Sequence, residues 1–242
     1  DLRTNISLIA RDHTGIKPLY LCNHQGQIYF ASEIKSFEGI LPLSEIDYSS
    51  INDYLTFRFI PSEKTAWKNV KKLKPGSYLK TNLETMETQH LIYWQLNFNS
   101  KKIDKTTDYV KQFDTLFTQS LTGQLLADVP VGAFLSGGMD STAICARAMQ
   151  LGQKEFHTFS VAFEGDTEFS ELAYASLVAD TLGTTHHEVI VTKQQFLDFL
   201  DKQPYFTDDP LADLTSIPLY YLCVAAKKHV KVALSGEGAD EL

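Results

Sequence analysis

The most constraining feature of this 242-residue chain is a glycine turn between an apolar strand and a helix. The strand VPVGAFL runs directly into SGGMDS, residues 136–141, and helix-forming residues follow at once. Two glycines permit a tight turn and a close backbone approach to a ligand, while amide groups converge at the positive end of the helix. The G-K-[ST] ending of a Walker loop is absent. The segment therefore predicts an anion site of another type at the end of a β-strand.

A second loop of similar composition follows the predicted strand 230–234, with the sequence SGEGADE at residues 235–241. Asp140 in the first loop would repel a bare polyphosphate, so its presence favours a bridging Mg²⁺ ion. If the two strands are parallel neighbours, both loops face one crevice, where open α/β sheets bind ligands. Asp140 and Asp240 would then share a metal-bound pyrophosphate, with Glu237 directed at the substrate. A turn that binds no ligand is the alternative for either loop taken alone.

Strands and helices alternate over the second part of the chain, which implies an α/β fold with a mostly parallel sheet covered on both faces. Residues 1–97 instead carry short strands separated by turn sequences, a pattern typical of antiparallel hairpins. The polar stretch 97–105 marks the boundary, so we expect one domain at 1–97 and another at 98–242. The strands predicted in the second part are 129–135, 156–163, 188–191 and 230–234, and the helices are an amphipathic one spanning Val110 to Leu121, 141–150, 168–182, 194–200 and about 216–229.

Composition restricts the class of protein further. Lys and Arg number 22 against 30 Asp and Glu, a net charge of −8, which argues against general affinity for nucleic acid. No apolar run approaches the roughly 20 residues of a membrane helix. The three cysteines, Cys22, Cys145 and Cys223, lack a C-x-x-C pair and indicate reduced thiols. We therefore expect a soluble, cytoplasmic protein that binds neither nucleic acid nor membrane.

Several other polar residues invite a functional interpretation. His186 and His187 begin a strand, where neighbours point to opposite faces, so one ion cannot easily take both and a structural or surface role is favoured. Asp208 and Asp209 belong to a loop expected near the crevice, although a helix N-cap at Asp213 or Thr215 explains part of this composition. A small basic cluster is expected to be a solvated face; its members are Lys68, Lys71, Lys72 and Lys74.

Together the motifs resemble the glutamine-hydrolysing asparagine synthetase family. FLSGGMDSTAI is similar to the pyrophosphate loop of the ATP-pyrophosphatase superfamily, and TFSVAFEG, LGTTHHEVIVT and VALSGEGADEL extend the likeness. ARDHTGIKPLYL, IYFASEIKSF and VKKLKPGSYL resemble the end of the family's class II glutamine amidotransferase domain. The resemblance implies a doubly wound, adenine nucleotide alpha hydrolase-like (Rossmann-like) sheet, preceded by the antiparallel strands of an N-terminal nucleophile-type amidotransferase domain.

The resemblance also implies site residues, with ATP and Mg²⁺ as cofactors. Leu135 is expected to touch adenosine, the backbone of Val161 to meet adenine, and Glu237 to assist acyl-adenylate formation and ammonia attack. Asp140 and Asp240 are the implied magnesium ligands. The full set implied for nucleotide binding is Leu135, Ser136, Gly137, Gly138, Asp140, Ser141, Val161, Ser235 and Gly236.

The implied enzyme is a carbon–nitrogen ligase with glutamine as amido donor. It adenylates the side-chain carboxylate of aspartate, releases pyrophosphate, and lets ammonia displace AMP. A related adenylating enzyme acting on another carboxylate is an alternative, either β-lactam synthetase-like or sugar- or peptide-modifying, and so is a non-catalytic relative of the fold. The partners implied are small molecules, namely ATP, aspartate or another carboxylate, and glutamine or ammonia, and the resemblance leaves room for a homodimer.

The chain departs from the family at its ends. The family's glutaminase nucleophile is an N-terminal cysteine, whereas this chain opens with Asp1, and none of its three cysteines stands at a chain start. The helical region expected after GADE is also missing. We therefore expect a fragment of a longer protein that is inactive alone.

Overall fold

The computed structural model describes residues 1, 3–43, 45–97, 106–165 and 170–240. The chain divides into two compact units, Asp1–Ser100 with Lys202–Asp213, and Lys101–Asp201 with Leu214–Leu242. The proposed domain boundary after residue 97 stays a prediction, because residues 98–105 lie outside the described part. Residues 202–213 belong to the first unit although they follow a segment of the second unit in the chain, and no sequence pattern indicated this.

The secondary structure follows the predicted alternation closely. The strands are β1 Ile6–Ala10, β2 Tyr20–His24, β3 Gln27–Ala31, β4 Val70–Lys72, β5 Ser77–Asn82, β6 Thr88–Ile92, β7 Val131–Phe134, β8 His157–Phe163, β9 Thr185–Val191 and β10 Val232–Leu234. The helices are a 3₁₀ turn at Ile34–Phe37, α1 Tyr48–Phe57, α2 Thr106–Leu125, α3 Met139–Gln150, α4 Leu172–Leu182, α5 Lys193–Leu200, α6 Gln203–Thr207 and α7 Ser216–Ala226. The predicted helix start at 168 lies outside the described residues.

The first unit contains two three-stranded antiparallel sheets, ordered β1-β5-β6 and β3-β2-β4. The expected hairpin of β2 and β3 is present, but β1 pairs with β5 instead of β2. The Arg11 guanidinium explains this difference, because it donates hydrogen bonds to the carbonyl groups of Gly15, Lys17 and Leu73. The connection after β1 therefore folds around a charged side chain rather than into a hairpin turn.

The second unit is a four-stranded parallel sheet in the order β10-β7-β8-β9. One face packs against α2, α3 and α4 through a core that includes Ala133, Cys145 and Ala175. The other face packs against α7, where Phe159 contacts Leu222. The predicted α/β class, with a parallel sheet covered on both faces, is confirmed.

The apolar stripe of α2 is only partly buried. Leu121 is buried, whereas Val110, Phe113 and Leu116 are each more than 60% exposed. The helix is therefore confirmed, but the burial that its amphipathic pattern predicts is reached only in its second half. Among the described residues, no helix combines the length and hydrophobicity of a membrane span.

Candidate functional site

The two glycine loops follow neighbouring strands of the parallel sheet. β7 pairs in parallel with β10, with Ala133 opposite Leu234, and it pairs with β8 on its other side. The chain passes from β7 to β8 in one direction and returns to β10 in the other, so the strand order reverses between β7 and β10. Such a reversal leaves a crevice outside the carboxyl ends of the strands. The condition for a shared crevice is therefore met.

The first loop is held together by its two serines. The backbone amide of Ser136 donates to Ser141 Oγ at 3.2 Å, and the two hydroxyl oxygens lie 3.0 Å apart. Ser136 Oγ also accepts a hydrogen bond from the Gly138 amide at 3.2 Å. These bonds curl the backbone over the start of α3. The Thr142 amide makes the first intrahelical bond, to the Gly138 carbonyl, so the preceding amides have no intrahelical acceptor and are available to an anion.

Gly137 allows this loop to press against the start of α4. Its φ is +86°, and a Cβ atom there would lie 2.7 Å from Tyr174 Cβ and 2.8 Å from the Ala175 amide nitrogen. A side chain at position 137 would therefore collide with backbone and adopt an unfavourable conformation. The glycine is required by both geometry and space.

The second loop touches the first. A Cβ atom on Gly236 would lie 3.2 Å from Asp140 Cβ and 3.3 Å from the Ser141 amide nitrogen. Ser235 Oγ accepts a hydrogen bond from the Glu237 amide at 3.2 Å, which turns the loop back over the end of β10. The structure thus brings Gly236 of the second loop against Asp140 and Ser141 of the first.

Three carboxylates lie on these loops, and their chemistry suits a divalent cation. Asp140 is in the first turn of α3 and is half-buried, whereas Glu237 and Asp240 are exposed. None of the three forms an ion pair with another described residue. Oxygen ligands that carry charge and are not already paired are what Mg²⁺ takes alongside phosphate oxygens. Glu241 lies outside the described residues.

A cavity of about 190 Å³ opens beside the first loop, at the carboxyl ends of β7 and β8. Leu135, Ser136 and Val161 all line it, so three residues predicted from the sequence share one space. The other lining residues are Phe134, Phe159, Ser160, Glu171, Leu172 and Leu222.

Ser160 is a cavity residue that the sequence analysis did not single out. Its buried hydroxyl donates to the Leu135 carbonyl, and the Leu135 amide donates to the Phe159 carbonyl at 2.8 Å. These bonds fix the end of β7 against β8. The signal that could have found it is the placement of a serine next to Val161, between apolar residues of the strand.

Asp208 and Asp209 have structural partners within the first unit. Asp208 accepts hydrogen bonds from the Ile34 and Lys35 amides and pairs with Lys35 Nζ at 3.0 Å. Asp209 accepts from the Ala66 amide and pairs with Lys72 Nζ at 2.9 Å. These bonds attach residues 202–213 to the first unit.

The electrostatic consequences of these pairs are visible in the first unit. Burial alone would lower the pKa of Lys35, but hydrogen bonds to Asp208 and Glu33 outweigh it and raise the pKa. Burial, together with the charges of Asp209 and Asp208, raises the pKa of Tyr20 to about 12. Both groups therefore keep their ordinary charge state at neutral pH.

The basic cluster is only partly a solvated face. Lys68 is exposed and pairs with Glu45 on the surface. Lys72 is drawn inward, since its Nζ also donates to the Ile60 carbonyl at 2.9 Å. The expectation of a solvated face is thus wrong for this member, because Asp209 provides a partly buried counter-charge.

The adjacent histidines of β9 point to opposite faces, as the alternation of a strand requires. His186 Nδ1 lies 2.9 Å from Thr158 Oγ1, whereas His187 Nε2 lies 3.0 Å from His157 Nδ1. One ion therefore does not take both neighbours. His187 instead belongs to a group with His157 and His229, which lies apart from the glycine loops.

Comparison with known proteins identifies the family of the chain. The family model described as asparagine synthase matches residues 112–242, more than half of the chain, and the model described as glutamine amidotransferase domain matches residues 1–94. A solved structure, the NMN synthetase from Francisella tularensis, overlaps 57% of this chain and 57% of that chain at 16% identity, with a TM-score of 0.39.

Two curated relatives come from Bacillus subtilis (strain 168). Asparagine synthetase [glutamine-hydrolyzing] 1 is 41% identical over 96% of this chain and 36% of its own length. Asparagine synthetase [glutamine-hydrolyzing] 3 is 30% identical over the whole chain and 41% of its own length. The chain therefore spans well under half the length of these relatives. On the family-model match over more than half of its residues, the chain belongs to the asparagine synthase family.

Proposed function

We propose that this chain carries the end of the glutaminase domain and the first part of the nucleotide-binding domain of a glutamine-dependent asparagine synthetase, a carbon–nitrogen ligase that converts ATP to AMP and pyrophosphate. The observation that carries the proposal is the contact of the two glycine loops, in which Gly236 lies against Asp140 and Ser141. That contact gathers backbone amides, hydroxyl groups and carboxylates at the ends of two parallel strands. Such a set of donors and metal ligands suits a magnesium pyrophosphate.

The nucleotide is proposed to lie across β7 and β8, beside the carboxyl end of β7. The cavity of about 190 Å³ is smaller than the roughly 300–1,000 Å³ of pockets that enclose a whole ligand. It therefore suits the adenosine end alone, against Leu135 and the backbone of Val161. Ser136 lines the cavity and also opens the glycine loop, so the phosphates would pass from the cavity to the loop.

The residues of the two loops are assigned separate roles in the reaction. Gly137, Gly138 and the Ser136 and Ser141 hydroxyls would hold the pyrophosphate, with Ser235 and Gly236 completing the other wall. Asp140 and Asp240 would hold Mg²⁺, which neutralises the charge that develops on the leaving pyrophosphate. Glu237 is the proposed catalytic residue and faces the reacting carboxylate and ammonia.

The proposed bond changes are those that the family resemblance implies. A carboxylate oxygen of aspartate attacks the α-phosphorus of ATP, and the bond from that phosphorus to the pyrophosphate oxygen breaks. Ammonia then attacks the acyl carbon, AMP departs with the bonding electron pair, and the nitrogen loses a proton. The match of residues 1–94 to a glutamine amidotransferase model supports glutamine as the source of that ammonia.

The proposal extends to the setting of the enzyme. Cys22, Cys145 and Cys223 are all free thiols, which fits the reducing cytoplasm. The proposed partners are the small-molecule substrates, and assembly as a homodimer stays a prediction.

ATP–pyrophosphate exchange by the intact protein tests the proposal. Labelled pyrophosphate should enter ATP when aspartate and Mg²⁺ are both present, because adenylation is reversible until ammonia arrives. Glutamate, β-amino acids and carboxylated sugars serve as matched acceptors in parallel assays. Exchange with another acceptor but not aspartate would select a related adenylating enzyme, and no exchange with any acceptor would contradict the catalytic role.

A further inference from the structure

We propose that His157, His187 and His229 form a second metal site in the same unit, one that takes a divalent transition ion such as Zn²⁺. One ring nitrogen from each side chain can be chosen so that all three atoms lie within 4.8 Å of one another. The three rings are also close, with centroids 4.1 to 5.2 Å apart. This group is independent of the loops that carry the proposed magnesium ligands.

The fold assembles the group from three different elements. His157 opens β8, His187 is the third residue of β9, and His229 follows the end of α7. In the register of the sheet His187 lies opposite Phe159, which is two residues from His157, so both histidines project from one face. His229 reaches that face from the helix that covers it, and its ring stacks on His187 with centroids 4.1 Å apart.

For one pair of histidines, the spacing of the ring nitrogens is near that around a coordinated ion. Zn–N distances of about 2.0–2.1 Å in a tetrahedron place two ligand nitrogens roughly 3.4 Å apart. His157 Nδ1 and His187 Nε2 are already 3.0 Å apart, so a small ring rotation is enough for this pair. His229 is exposed, which leaves its side chain free to turn towards the ion and leaves a coordination position open to water.

The ligand chemistry selects the class of ion. All three donors are imidazoles, and Mg²⁺ and Ca²⁺ prefer oxygen ligands, whereas Zn²⁺, Ni²⁺ and Cu²⁺ bind imidazole nitrogen strongly. A metal ion requires the neutral form of each ring.

The site lies at the start of β8, whereas the nucleotide cavity is lined by residues from the middle of the strand. His157 is the first residue of the strand and Val161 is the fifth, so roughly 13 Å of extended chain separates them. Phe159 lies between the two sites, since it stacks on His187 with a centroid distance of 5.0 Å and also lines the cavity. Metal binding would join β8, β9 and the end of α7 without occupying the crevice.

Zinc titration of the chelator-stripped intact protein tests the site, with calorimetry for affinity and thermal melting for stability. We expect one zinc ion per chain that depends on the three histidines, a higher melting temperature with zinc, and its reversal by EDTA. Co²⁺ should give visible absorption bands of a nitrogen-ligated centre. The variant His229→Gln changes an exposed residue, so it should fold and lose at least about tenfold in affinity.

His186→Gln is the matched control, because it removes the neighbouring imidazole on the opposite face of the same strand. It should keep the wild-type zinc affinity and the cobalt spectrum. His157→Gln provides a second ligand variant and should behave like His229→Gln. Equal zinc binding by wild type and His229→Gln, or no saturable zinc binding by the wild type, would overturn the proposal.

Discussion

Gly236 lies against Asp140, and a Cβ atom at position 236 would stand 3.2 Å from the Cβ atom of that aspartate. Two loops that are far apart in the chain thus lie side by side at the carboxyl ends of the strands of the parallel sheet. The contact exists because β7 and β10 are direct neighbours, which places the carboxyl ends of both strands side by side. The close approach of the two backbones leaves little room for a side chain at position 236.

Gly137→Ala should abolish ATP–pyrophosphate exchange and lower the free energy of unfolding by about 2 kcal/mol. The new methyl group would collide with the backbone at the start of α4 and would force a left-handed conformation on alanine. Exchange kinetics and denaturant unfolding measure the two effects. Gly152→Ala is the control, because Gly152 has a similar φ of +92° with nothing within 4 Å. Equal loss of exchange in both variants would show that backbone strain alone explains the result.

Asp140→Asn should remove exchange while leaving the melting temperature nearly unchanged. The amide keeps the shape of the side chain but cannot supply the negative charge that a magnesium pyrophosphate requires. A magnesium titration of the exchange rate provides the measurement, and added Mg²⁺ should not restore the rate. Asp180→Asn removes an exposed carboxylate from α4 and should behave as wild type. Normal exchange by Asp140→Asn would exclude this residue as a ligand.

Asp208→Asn should destabilise the first unit by about 2 kcal/mol. The substitution removes the better buried of the two charge partners of Lys35, whose side chain is only 14% exposed, and weakens the bonds to two backbone amides. Denaturant unfolding followed by fluorescence measures the change. Glu45→Gln interrupts the exposed pair with Lys68 and should leave stability unaltered. A neutral effect of Asp208→Asn would contradict the structural role assigned to it.

The stability of the second unit should fall with acidification through the titration of His187. Its pKa is lowered from the ordinary 6.5 by burial and by the neighbouring His229 and His157, so the unfolded chain binds this proton more readily. The stabilisation that depends on neutral His187 is complete above about pH 6.5, where the residue is uncharged in both states. It is lost as the pH falls towards the lowered pKa of the folded state. Melting temperatures measured in metal-free buffer between about pH 7.5 and 5 should therefore decline less for His187→Gln than for wild type. Parallel profiles would refute this assignment.

Local sequence patterns determined the elements and the chemistry of the loops. An apolar strand that runs into SGGMDS specifies a turn and a helix start within a few residues, and Gly138 is indeed the N-cap of α3. Gly183 ends α4 in the left-handed conformation for the same local reason. The alternation of strands and helices likewise predicted the parallel sheet. These features depend only on backbone preferences and neighbouring side chains.

Only the tertiary structure decided which distant segments meet. The sequence left open whether β10 neighbours β7. It indicated hairpins between successive strands, whereas β1 pairs with β5, and it contained no sign that residues 202–213 join the first unit. From the sequence, His187 could be considered only together with its neighbour His186. The fold places His187 beside His157 and His229. Strand order and long-range side-chain partners depend on how the helices and sheets of each unit pack against one another. That packing involves residues far apart in the chain. A pattern within one segment therefore predicts its form and its chemistry, but not its neighbours.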